Sequence, residues 1–222
     1  MLPPVEPDEQ LIAHGLYQQV RDGHPTRLQE FWTVHGLPDR ALIWRSQLLY
    51  NGVAPISACY LLRDPQFKPA QMVFYWRWPD GRDDLIEYRF APGHMTILYR
   101  ERAQEMILPV GYEVYGWHTI TENFLWASYD RRVRGTQDFT LVVPGIHHGT
   151  LWPRLMFLQA THERSEILPG PGGPHSGFAF LVQMPEMGVQ HLHLDDSGIP
   201  VRWVLPEEGL TVELSEYSRI DG

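Results

Sequence analysis

This chain lacks most of the features that announce a function. It holds one lysine, Lys68, among 18 basic residues, and one cysteine, Cys59. A single cysteine excludes an internal disulfide and a paired-cysteine metal site. Inside the strand-like ISACYLLR, it reads as a small buried hydrophobe. No stretch approaches the roughly 18 apolar residues of a membrane-spanning segment. The start, MLPPVEPDEQ, has neither a positive charge nor an apolar core, so a cytoplasmic protein is expected. A basic stripe is also missing. The net charge is −9, and residues 111–222 carry 14 acids against 7 bases, which speaks against nucleic acid as a partner. There is no phosphate loop, dinucleotide fingerprint or nucleophile elbow, since Ser176 stands fourth in GPHSG. No catalytic residue and no cofactor is therefore expected.

What the chain does have is strands. FAFLVQM, VQHLHLD, IPVRWVL and LTVELSEY follow one another from Phe178 to Tyr217, each ended by a turn rich in Pro, Asp, Glu or Gly. The same pattern runs back to Trp44, with Asn51-Gly52 as a tight-hairpin signal. About ten strands with little helix between them predict an all-β domain with minor α. Its sheet is single and antiparallel, curled into a half-open barrel. Residues 1–40 are expected to form a helical segment packed on that barrel. Asp8 caps a helix to about Asp22, with Leu11, Ile12, Leu16 and Val20 at helical spacing, and a second short helix lies near Arg27–Val34. Residues 41–217 make the barrel and 218–222 a tail. Residues 117–134 fit neither period and read as an insert with a short helix around Thr121–Tyr129. This insert and the N-terminal helix would plug the open side. Residues 169–177, PGPGGPHSG, read as a flexible loop.

Aromatic residues make up 12% of the chain, more than a small core needs. In QMVFYWRW, Met72, Phe74, Trp76 and Trp78 point one way, and Val73 and Tyr75 the other. Large rings with polar tips suit an apolar pocket that orients a ligand, though ordinary core filling uses the same residues. The candidate lining residues are Trp44, Phe74, Trp76, Tyr88, Tyr99, Trp126 and Trp203. Arg131 and Arg132 stand beside the insert, where they could hold an acidic head group. A rival site is the alternating His191, His193 and Asp195, which a strand places on one face as a metal set. The two-histidine strand of the cupins wants a glycine five residues before the first His and a Glu soon after the second; Gly188 and Asp195 do not match. A solvated polar face is the plainer account.

The closing stretch carries a likeness. Asp196, then Ile199, Pro200, Val201 and Arg202, then Glu213 and Leu214, resemble the end of the lipoprotein-carrier-like incomplete barrels. That bacterial group includes glycolipid-binding and uncharacterised families. The resemblance implies a hydrophobic or amphiphilic small molecule held between a curved sheet and plugging helices, and it transfers no catalytic residue. The expected function is thus binding of a lipid-like ligand. The alternatives are a metal-dependent enzyme at His191 and His193, or a protein-interaction module.

Overall fold

A computed structural model describes residues 2–130, 135–185 and 187–220, without the Ala127 side chain. Fifteen strands form one sheet. They are β1 (Gln10–Arg21), β2 (His24–Gly36), β3 (Leu42–Tyr50), β4 (Ala54–Arg63), β5 (Pro69–Arg77), β6 (Asp83–Ala91), β7 (His94–Tyr99) and β8 (Arg102–Ile107). After these come β9 (Tyr112–Val114), β10 (Thr136–Pro144), β11 (Pro153–Gly170), β12 (Gly173–Met184), β13 (Gly188–Asp195), β14 (Pro200–Leu205) and β15 (Leu210–Arg219). The order across the sheet is β8 to β1, then β15 down to β9. Neighbours are antiparallel except β9 and β10, which run parallel. The all-β expectation holds, with fifteen strands instead of about ten.

The two outermost strands, β8 and β9, are consecutive in the chain, joined by residues 108–111. Such a link spans at most about 17 Å, whereas fifteen flat strands would be about 67 Å wide. The sheet therefore rolls on itself, without a β8–β9 ladder. Leu108 is buried at this seam, its amide bonded to Gly93 O (2.9 Å), and Phe90 stacks on Tyr112 across it (5.7 Å).

The N-terminal helices are not formed. Residues 10–21 and 24–36 are β1 and β2, in the middle of the sheet. Arg21 pairs with His24 across Asp22 and Gly23, both at positive φ (50° and 79°), the tight turn that Asp-Gly favours. Alternation, not helical spacing, decides burial: Ala13, Gly15 and Tyr17 face inward. Gly15 is there because a Cβ would lie 2.5 Å from Glu216 O and 2.6 Å from the Trp32 ring. The stretch 169–177 is likewise no loop. It belongs to the β11–β12 hairpin, in which Gly170 pairs with Gly173 across Pro171-Gly172.

Residues 2–9 lie on the outside of the sheet. Arg45 holds them through the Glu9 carboxylate and Pro4 O, and Leu2 packs on Ile43, Tyr60 and Val73. This explains why β5 carries large side chains on both faces.

Gly15→Ala is expected to cost about 1–3 kcal/mol, because the new methyl meets a backbone oxygen and a fully packed ring. Denaturant unfolding measures it. Unchanged stability would show that the β1–β2–β15 centre has slack.

Candidate functional site

The curl encloses a stretch of its own chain. Residues 115–129 leave β9, cross the interior as a 3-10 turn (Thr119–Asn123) and the short helix α1 (Phe124–Ser128), and return toward β10. This is the expected insert, and its helix lies within the predicted range. Residues 118–125 are all buried, and Ile120, Phe124 and Leu125 belong to the main core.

An irregular segment cannot satisfy its backbone by a ladder, so side chains must do it. Two polar clamps serve. At the front, Glu30 of β2 accepts from the amides of Thr119 (2.7 Å) and Ile120 (3.2 Å) at the start of the 3-10 turn. His118 sits between the Ser46 and Ser57 hydroxyls, with Nδ1 2.6 Å and Nε2 3.0 Å away. At the back, Arg63 of β4 is fully buried and donates to Phe67 O, to Glu113 Oε2 (2.9 Å each) and to Asn123 Oδ1 (3.5 Å). The Ser128 hydroxyl donates to the other Glu113 oxygen. Trp126 then reaches the turn between β13 and β14. It packs edge-on against Phe67 (5.8 Å) and donates from Nε1 to Asp196 O (3.0 Å), and its ring lies over Gly198.

Some interior polar groups stay unmatched. Among the described residues the Tyr17 hydroxyl, Trp32 Nε1, Trp44 Nε1 and Asn123 Nδ2 have no hydrogen-bond partner, while the buried Tyr115 hydroxyl and Glu122 carboxyl face each other. Burial pushes Glu30 up to about 7 against the pull of its two amides, and Glu122 up to about 8, with Glu30 adding to the effect. Burial also pushes His118 down to about 3, so its ring is neutral. A serine hydroxyl on an imidazole beside a carboxylate is the layout of an activated nucleophile. Here Glu30, Ser46, Ser57 and His118 are all 3% exposed or less, and the His118 nitrogens both end on hydroxyls. In this state the group is a clamp.

The predicted lining residues divide. Phe74 and Tyr88 are fully buried, and Trp44 and Trp203 nearly so, all facing inward. Tyr88 donates to Leu151 O (2.6 Å) and Trp203 to Gln190 Oε1 (2.8 Å). Trp76 is half-buried between Phe74 and Trp78 (6.2 and 6.3 Å), and the Tyr99 hydroxyl donates to Asp84 (2.9 Å). Trp44 reaches Trp126 through Phe67. Arg131 and Arg132 lie outside the described residues. Two shallow hollows, of about 370 Å³ and about 340 Å³, lie on the outside, one by Val73, Leu85 and Leu98, the other by Phe31 and Thr33 under the N-terminal arm. Of the candidate aromatics only Tyr99 borders either.

The histidine set does not converge. His191 faces Glu163 (3.8 Å) and His193 faces Glu166 (2.8 Å), both from β11. Asp195 turns its Oδ1 to the amides of Ser197 and Ile199 (2.8 Å each), closing its own turn. Among the described residues no three metal-ligating side chains come together.

The fold defines a β-barrel-like protein. The chain is similar to a crystal structure of a β-barrel-like protein of the domain of unknown function DUF1849 from Brucella abortus. The TM-score is 0.61 at 10% identity, over 96% of this chain and 99% of that one. It is also similar to a DUF1089 family protein from Pseudomonas aeruginosa, with a TM-score of 0.48 at 14% identity, over 83% of this chain and 87% of that one. No protein-family model and no curated protein matches the chain. Among the described residues no helix is long and apolar enough to cross a membrane.

The buried carboxyls set a pH dependence. Glu30 and Glu122 keep their protons to higher pH folded (about 7 and about 8) than unfolded, so stability falls as pH rises from about 4.5 to about 8. His118 acts oppositely, removing stability as pH falls from about 6.5 to about 3. Above about pH 6.5 only the carboxyls contribute. The melting temperature is expected to fall between about pH 6.5 and about pH 9, and less steeply in Glu122→Gln. Equal slopes in the two proteins would assign the effect elsewhere.

Proposed function

We propose that this protein binds a hydrophobic or amphiphilic small molecule inside the curled sheet, in the space that residues 115–129 fill in the closed state. One observation carries this reading. The enclosed segment and the walls around it hold several fully buried polar groups without partners. Each unmatched group costs about 1–3 kcal/mol, and a ligand's polar end would match some of them. The surrounding side chains are apolar or aromatic, as such a ligand's tail requires. Trp44, Phe74, Tyr88 and Trp203 then act as wall, and Trp126 as the cover. The fold class agrees, because an unclosed curl can admit a guest by moving its filling without breaking a strand ladder. The incomplete-barrel carriers that the closing stretch resembles supply the ligand class.

The chain offers a direct test. A Cβ at Gly116 would lie 2.6 Å from Cys59 Sγ, within a few tenths of an ångström of disulfide geometry. Oxidised Gly116→Cys should fasten the segment to β4. Binding of a fluorescent long-chain fatty acid, measured by titration, is expected in the wild type, to be lost in the oxidised variant, and to return on reduction. Equal binding by the oxidised and reduced forms would place the ligand outside the curl, and a wild type that binds nothing would end the reading.

A further inference from the structure

Glu122 belongs to neither clamp. It is 1% exposed, on the irregular stretch that crosses the interior, and among the described residues its carboxyl has the Tyr115 hydroxyl for a partner. The groups that face it are the Tyr115 hydroxyl, from its own segment, and the Glu30 carboxyl, from β2. Tyr17 from β1 and Cys59 from β4 feel Glu30 in turn, and His118 lies 3.8 Å from it. Among the described residues no cation balances this set. The interior guanidinium, Arg63, is held by Glu113, and on β14, which packs against the 3-10 turn, Arg202 pairs with the exposed Glu213. An ionised Glu122 in place would add an unsolvated negative charge beside another acid, which a low-dielectric interior does not tolerate.

We propose that Glu122 is a proton-operated lock on residues 115–129: protonated, it stays inside and the segment fills the curl; deprotonated, it leaves for water and the segment opens with it. The lock deepens the binding reading and rests on it for what the opened interior receives. Burial holds the Glu122 proton up to about pH 8, with Glu30 reinforcing and Tyr115 opposing. At the entry Trp117 holds φ at 56°, a left-handed conformation strained for a large side chain, and its Nε1 donates to Pro144 O (2.7 Å), so opening gives up that bond and relieves the strain. Front-clamp hydrogen bonds keep it shut while Glu122 is neutral. Opening breaks the carboxyl O–H bond, the electron pair staying on the carboxylate and the proton passing to solvent water or hydroxide, and no bond of the chain is broken.

Cys59 is a reporter for this motion. It is the chain's one cysteine, it is 1% exposed, and Gly116 of the segment lies directly over its sulfur. The experiment is thiol labelling of the whole, ligand-free protein with a dithiodipyridine across pH. Each rate is divided by that of the urea-unfolded chain at the same pH, which cancels thiol ionisation. The normalised rate is expected to rise by up to about tenfold per pH unit between about pH 6.5 and about pH 8 and to level off above that. The far-UV strand signal stays constant, and Glu122→Gln stays flat throughout. A flat wild-type profile overturns the proposal, and needs no variant to do so. So does a rise that Glu122→Gln shares, or one that accompanies loss of the strand signal. Because no ligand is added, a failed lock with intact redox-dependent binding in Gly116→Cys removes only the lock, while the reverse result leaves a lock without a guest.

Discussion

The short link between β8 and β9 is the constraint on which the rest of this structure depends. It brings the two free edges of a fifteen-strand sheet within about 17 Å of each other, which forces the curl. A curl of this width has an inner face that its own side chains do not fill completely. The same link delivers the chain directly to that interior, because residues 115–129 follow immediately after β9. One topological fact thus makes both the hollow and its filling.

Filling a hollow with irregular backbone raises a polar problem. Amides without a ladder must be matched, and the matching groups must be carried by the sheet. Glu30, Ser46 and Ser57 come from β2, β3 and β4, and Arg63 from the end of β4. The other half of the sheet holds the segment too. Tyr115 N donates to Val142 O (3.1 Å), Trp117 Nε1 to Pro144 O (2.7 Å) and His162 N to the Tyr129 hydroxyl (3.1 Å). The need for acceptors explains why an acid sits inside. Glu30 is useful there as an acceptor of two amides, whereas among the described residues Glu122 has only the Tyr115 hydroxyl to match it.

Much of the fold was legible because turns are local. Asn51-Gly52, Pro92-Gly93 and the Asp195–Gly198 turn each sit between alternating strands, and the structure uses all three. At the N-terminus Leu11, Ile12, Leu16 and Val20 happen to satisfy helical spacing although the segment is a strand. The true signal was Asp22-Gly23, a hairpin turn between two strands. The PGPGGPHSG stretch misled in the opposite way, since its glycines mark a hairpin tip with close backbone approaches. The inward aromatics Phe74 and Tyr88 were legible from size and alternation. The clamps were not, because they are long-range: Glu30 meets Thr119 from 89 residues away, and Ser46 meets His118 from 72. Buried Glu, Ser and His have no local mark that separates them from the same residues on a solvated face.

The central claim is that residues 115–129 are part of the core and held there by side chains of the sheet. Hydrogen exchange of individual amides near pH 6 tests this most directly, read at Thr119 and Ile120. The account predicts protection comparable to that of the β1 and β2 amides, although neither residue lies in a strand. Exchange at the rate of a free loop, with the strands still protected, would contradict it.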